Sequence, residues 1–156
     1  HWAAVEAGAE KAGRKADRAE WRMVREVFVA DTDAEAMKLS VGLHMGRMMR
    51  EYFMPLLGQF GFLEFLKHQP DVPDSDVTPE YLVDHNWLVG SPNTVSEKLA
   101  QMHHESGGFG TLTVINFDFK DEWSAWSASQ QALMQEVMPR FKDVKPLKDP
   151  FGVELT

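Results

Sequence analysis

The sequence predicts an α/β protein built on a parallel sheet, and three observations carry that reading. The apolar runs in "VFVADTDAEA" and "WLVGSPNTVSEKL" each pass through a turn of a few residues straight into a helical pattern. A third run, "TLTVINFDF", precedes a long Trp-containing amphipathic segment. Strands alternating with helices in this way lie parallel, with the helices packed over them. Three parallel strands are few for an isolated sheet. They suit the last three βα units of a (β/α)8 TIM barrel, which takes about 250 residues when complete. The expectation is therefore one partial domain over residues 1–156, the carboxyl-terminal part of a barrel, with a helical insertion at about residues 40–85. The chain also starts at His1 inside an amphipathic pattern with no capping residue before it, as it would after removal of a tag or leader or as the back part of a longer protein.

The elements follow in order. "HWAAVEAGAEKAGRK" has Trp2, Val5, Ala9 and Ala12 at helical spacing and stops near Gly13. In "WRMVREVFVADT", Val24, Val27, Phe28, Val29 and Ala30 form a near-continuous apolar strand of the kind buried on both faces. Asp31, Thr32 and Asp33 supply N-cap chemistry for the next helix. From Ser40 to about Leu66 the text is rich in Met, Phe and Leu and reads as one or two helices broken near Pro55. After a Pro/Asp-rich loop, Thr78 caps a short helix that begins with Pro79. Trp87, Leu88 and Val89 form a short strand, Gly90 its tight exit, and Ser91-Pro92 the cap and first residue of a helix with Val95, Leu99 and Met102 on one face. "SGGFG" ends that helix as a turn. Asp121 is expected to cap a last helix whose buried stripe holds Trp123, Trp126, Leu133, Val137 and Phe141, and the tail from Lys145 reads as irregular.

Composition narrows the function classes. A net charge of −8 argues against a nucleic-acid partner, because phosphate binding needs clustered Lys and Arg. The absence of cysteine excludes disulfides and thiolate metal sites and fits a cytoplasmic location. No apolar run approaches the roughly 18 residues of a membrane span, and no signal peptide is visible. No H-x-x-x-H or H-E-x-x-H spacing occurs, so no metal site is expected. Nucleotide-binding and nucleophile-elbow motifs are missing as well.

Ligands of parallel α/β folds gather at the carboxyl ends of strands. Here those ends are Asp31-Thr32, Gly90-Ser91 and Asn116-Phe117-Asp118. Gly90 would let a ligand approach the backbone, and the helix from Pro92 offers free N–H groups and a positive dipole end. The same residues are equally good turn-and-cap chemistry. His85, just before a strand, could move protons near neutral pH or serve as a hydrogen-bonded structural residue. His103 and His104, late on a helix, read as exposed. The Met/Phe insertion reads either as the cover of an apolar pocket or as core and interface filling.

The string "WLVGSPNTVSEKLAQMHHESGGFGTLTVINFDF", the run "EVMPR" from Glu136 to Arg140, and "VFVADTDAEA" together resemble the carboxyl-terminal part of the bacterial luciferase-like flavin monooxygenases. "EYFMPLL" and "VTPEYLVDHNWLVGSP" are most similar to the limonene monooxygenase-like branch. The resemblance implies an oxidoreductase that uses reduced FMN, delivered by a separate reductase, and O2 to oxygenate an apolar aldehyde, ketone or terpene-like substrate. Several branches use a deazaflavin instead. It implies that Gly90 and Ser91 lie near the flavin, that His85, Trp87 and Asn116 can approach the pocket, and that the protein is a dimer or other homo-oligomer. Catalytic residues would come from earlier strands, so this chain alone is expected to be inactive. The rival readings are a non-catalytic flavin-binding relative and a self-associating interaction module.

Overall fold

The computed structural model of the chain describes residues 1–117 and 119–144; Asp118 and the tail expected from Lys145 lie outside them. Helix α1 spans Trp2–Lys11 and leads to strands β1, Arg22–Arg25, and β2, Val27–Val29. Helix α2 is Asp33–Gly42. Helix α3, His44–Met48, passes through a π-helical turn at Met49–Phe53 into α4, Met54–Gln59. Then come α5, Pro79–His85; β3, Leu88–Gly90; α6, Pro92–Ser106; and β4, Thr111–Val114. Helix α7, Trp123–Ala132, is extended by a π turn at Leu133–Val137 and a 3-10 turn at Met138–Phe141.

All strand pairing among the described residues is parallel, as the alternating pattern requires, but the three expected strands are four short ones in two pairs. The strand from Arg22 to Val29 is interrupted at Glu26. Its first half pairs with β4, Arg25 opposite Val114, and its second half with β3, Val29 opposite Gly90. The halves differ in burial. Val27, Phe28 and Val29 are buried on both faces, whereas Val24 is 49% exposed. Phe28 and Val89 join Met45, Met49, Leu82, Trp87, Phe119 and Trp126 in one core; Val27, Val29 and Leu88 join Val95, Leu99, Leu133 and Val137 in a second, on the other side of the strands. Each such side chain contributes about 1.5–3 kcal/mol on burial.

The edge of β2 shows how α7 is attached. The Val29 amide donates to the buried Ser129 hydroxyl at 2.8 Å, so a helix side chain takes a backbone group that a neighbouring strand would otherwise satisfy. Ser129→Ala leaves that buried N–H without an acceptor. It is expected to lower the unfolding free energy by about 2 kcal/mol, measured by denaturant titration.

Helix starts match their sequence signals at three places. The hydroxyls of Thr32, Thr78 and Ser91 accept from the amides of Glu35, Tyr81 and Thr94, and Pro79 and Pro92 occupy the first helical positions. Three expectations are corrected. The helix does not break at Pro55, because the wider π turn before it absorbs the missing N–H and the ring. The break falls at Leu43, and Gly46 stands so close to Val41 that a β-carbon there would strike the Val41 carbonyl. Asp121 is not the cap of α7, whose cap position is Glu122: it lies in a 3-10 turn at Lys120–Glu122, and the carboxylate of Glu122 accepts from the His44 amide at 2.8 Å, at the start of α3. Trp123, expected in the buried stripe, is 64% exposed, while Trp126, Leu133 and Val137 are buried. The insertion divides likewise: Met45 and Met49 are core, Phe60 and Phe65 are surface.

Candidate functional site

The two adjacent strand exits, β2 to α2 and β3 to α6, are joined by one side chain. Asp33 Oδ1 accepts from the Ser91 amide at 2.6 Å, and Oδ2 accepts from the Thr94 hydroxyl at 3.0 Å. The Ser91 hydroxyl donates to Thr94 Oγ1 at 3.1 Å and accepts from the Thr94 amide at 3.4 Å. Hydrogen bonding from the Ser91 amide, then from the Thr94 and Ser91 hydroxyls, holds the Asp33 carboxyl below its ordinary value, with Lys98 adding a smaller pull. The tie is thus complete at neutral pH and is lost as pH falls through that lowered value.

Gly90 is required by the same arrangement. Its φ is +153°, and a β-carbon would fall 2.7 Å from Thr94 Cγ2 and 2.9 Å from Asp33 Oδ1. The space over the Gly90 backbone is therefore filled by the chain's own side chains. The start of α6 is occupied in the same way: Pro92 has no N–H, and the Ser91 and Thr94 amides are bonded within the protein. A carboxylate already stands where the dipole would attract an anion.

The five residues singled out in the sequence are not brought together. Gly90, buried, and Ser91, half-buried, lie at the carboxyl end of β3. Asn116 is exposed just past β4. Its register places it short of Gly90 along the strand direction, since Val114 pairs with Arg25 and Gly90 with Val29. His85 and Trp87 precede β3 and so lie at its amino end. Trp87 is 3% exposed within the core, and His85 is exposed, stacked on His68 at 3.9 Å between centroids. His68 in turn meets the Tyr81 hydroxyl at 2.6 Å from Nδ1. The His68, His85 and Trp87 rings border a groove of ≈ 560 Å³ that also touches Arg25, Asn86 and Lys98.

Sequence reasoning missed Asp33 as a tie between turns, and it missed Lys98 and Glu26. The Lys98 ammonium donates to the carbonyls of Val83 at 2.6 Å and Val89 at 3.1 Å, and burial pushes its pKa down against Asp84 and Asp33. Burial pushes the Glu26 carboxyl up, opposed by its own backbone amide and by Arg25. Neither residue sits in a sequence motif that would have marked it.

His103 corrects the expectation of exposure: it is 7% exposed, with its ring 5.1 Å from that of Phe109. Burial lowers its pKa from 6.5, and a hydrogen bond with the Phe109 backbone partly opposes this. The unfolded chain takes up this proton first, so His103 contributes stability that is full above about pH 6.5 and falls as the solution is acidified below it. Melting temperatures followed from neutral pH to about pH 5 are expected to fall less steeply for His103→Gln than for the unaltered chain.

Comparison with known proteins places this geometry in a family. The model of the luciferase-like monooxygenase family matches residues 2–108. The chain is 34% identical over 140 residues to 3,6-diketocamphane 1,6-monooxygenase of Pseudomonas putida, covering 90% of this chain and 37% of that protein. It is 34% identical to 2,5-diketocamphane 1,2-monooxygenase 2 of the same organism, covering 91% of this chain and 40% of the relative. Limonene 1,2-monooxygenase of Rhodococcus erythropolis is 27% identical, with 90% of this chain and 34% of the relative covered. Among solved structures, the oxygenating constituent of P. putida 3,6-diketocamphane monooxygenase, a type II Baeyer–Villiger monooxygenase in complex with FMN, superposes with a TM-score of 0.85. That match has 34% identity and covers 95% of this chain and 40% of the other. The chain thus spans about two fifths of the length of the diketocamphane relatives it matches. With the family model covering well over half of its residues, and 95% of it superposing on a solved relative at 34% identity, the chain belongs to the luciferase-like monooxygenases.

Proposed function

We propose that this chain is the carboxyl-terminal part of a (β/α)8 flavin-dependent monooxygenase acting on an apolar alicyclic ketone or terpene-like compound. The observation that carries the reading is the superposition on an FMN-bound Baeyer–Villiger oxygenating component, at 34% identity over nearly the whole chain. When bound, FMN reduced by a separate reductase would supply the two electrons by which one atom of O2 enters the substrate and the other leaves as water. A deazaflavin would serve the same place in the fold.

In this reading the β3–α6 turn at Gly90 and Ser91 lies beside the flavin, with Thr94 and Asp33 filling the space directly over the Gly90 backbone and Asn116 further down the same side. His85 and Trp87, at the opposite end of β3, take no part in the flavin site. The described residues do not fit the phosphate of FMN at these strand exits, because Asp33 puts a negative charge at the start of α6. The phosphate is therefore assigned away from these two strand exits, and the catalytic residues to earlier strands of the full-length protein. What this chain supplies is the shape and rigidity of one wall of the pocket.

The test is oxygen uptake by a protein of the relatives' full length, given reduced FMN with and without a bicyclic ketone. Substrate-dependent uptake is expected from that protein and none from residues 1–156 alone. Tight binding of oxidised FMN with no substrate-dependent uptake would make the protein a non-catalytic flavin binder. A folded, self-associating protein with no flavin affinity would make it an interaction module.

A further inference from the structure

We infer that Asp33 is a positioning residue: its carboxylate acts as a built-in anion at the start of α6, locking the β3–α6 turn to the β2–α2 turn and closing that helix end to an external phosphate. The inference rests on the flavin reading only in saying which phosphate is excluded. Three observations carry it. Asp33 spends both oxygens on the next strand's exit, one on the Ser91 amide and one on the Thr94 hydroxyl, 58 and 61 residues away in sequence. The backbone at Gly90 has the positive φ and the missing β-carbon that let Asp33 and Thr94 stand so close. Of the N–H groups an incoming anion would use, two are taken: the Thr94 amide goes to Ser91 and the Ser91 amide goes to Asp33, while Pro92 has none, which leaves the Asn93 amide beside the Asp33 carboxylate.

A carboxylate on a helix N-terminus is ordinarily supplied by the helix's own capping residue. Here the capping residue is Ser91, and the charge arrives from another βα unit. The charge therefore does more than cap. It fixes the distance between two neighbouring loops on the face where this fold carries its ligands. Charged groups acting on it are few. Lys98 draws the Asp33 carboxyl down, but its ammonium is engaged by the carbonyls of Val83 and Val89.

The test uses a full-length protein carrying this chain and amide-resolved NMR, comparing it with Asp33→Ala and Asp33→Asn. In Asp33→Ala, exchange of the Ser91 amide is expected to speed up by roughly tenfold or more, the loss expected for one charge-assisted hydrogen bond. Millimolar inorganic phosphate is then expected to shift the Ser91, Asn93 and Thr94 amides, while leaving them unmoved in the unaltered chain. Asp33→Asn keeps one carbonyl oxygen for the Ser91 amide but removes the charge, and is expected to restore most of the protection while phosphate still shifts the Asn93 amide. Unchanged Ser91 exchange in Asp33→Ala, or phosphate shifting these amides in the unaltered chain, would overturn the inference. Should Asp33→Ala fail to fold, Thr94→Val severs one arm of the tie at constant charge; a Ser91 amide exchanging no faster there would overturn it equally. FMN titrated into the full-length protein judges the flavin reading separately: no binding there sinks that reading and leaves the Ser91 exchange result to judge Asp33.

Discussion

Gly90→Ala is expected to destabilise the fold by about 3 kcal/mol and to lower the melting temperature by roughly 10 °C. Two costs combine. The φ of +153° is one that residues with a β-carbon rarely adopt. The new methyl would also lie 2.7 Å from Thr94 Cγ2, 2.8 Å from Thr94 Cβ and 2.9 Å from Asp33 Oδ1. None of these neighbours retreats easily. Thr94 is in the first turn of α6, anchored by the Ser91 cap, and Asp33 begins α2 and holds the Ser91 amide. Adding Thr94→Ala to Gly90→Ala removes the 2.7 Å contact with Cγ2 and is expected to recover about 1 kcal/mol at most, since the contacts with Thr94 Cβ and Asp33 Oδ1 and the strained φ remain. A Gly90→Ala protein as stable as the unaltered one would mean that the turn is not locked as described.

The other large effect lies at the far end of α6. Arg18 is 4% exposed, and its guanidinium lies over the ring of Trp2 at 4.3 Å and near that of Trp21 at 5.7 Å. It donates to the carbonyls of Ser106 and Gly108, where α6 ends in a left-handed Gly107. The positive charge complements the carboxyl end of the helix dipole, and the two carbonyls have no other side-chain donor among the described bonds. Gly107 takes part: a β-carbon there would fall 2.8 Å from the guanidinium carbon. Arg18→Ala removes the charge-assisted bonds, the cation–π contact and the packing between two Trp rings at once. Thermal unfolding is expected to show a loss of about 3 kcal/mol. Arg18→Met keeps most of the packing and is expected to cost about 2 kcal/mol. Equal losses for the two would assign the whole effect to the charge.

What could be read in the sequence was the chemistry that acts within a few residues. Thr32, Thr78 and Ser91 cap because a hydroxyl reaches an amide three positions on, and the Gly107-Gly108 pair ends a helix by its own backbone freedom. Burial of Val27–Val29 on both faces followed from an unbroken apolar run. The misses share a cause. Asp33 to Ser91, Glu122 to His44, Arg18 to Gly108 and Ser129 to Val29 join residues 58, 78, 90 and 100 positions apart. Nothing local in a lone sequence marks such a pair. Pro55 misled for the converse reason: the local rule was sound, but a π turn provided a way round it. His103 carried the polarity of a surface residue in a helix whose last turn is covered by Phe109. In the candidate site, the strand exits were legible and their contents were not. Gly90 looked like an opening for a ligand and holds Thr94 and Asp33 instead.

The central claim is that this chain forms one wall of a flavin-dependent oxygenase pocket. Isotopically labelled O2 tests it most directly. A full-length protein carrying this chain, supplied with reduced FMN and a bicyclic ketone such as a diketocamphane, should give a lactone with one labelled oxygen atom and release the other as labelled water. Label recovered only as hydrogen peroxide, with the ketone unchanged at every flavin turnover, would contradict the account for that substrate class.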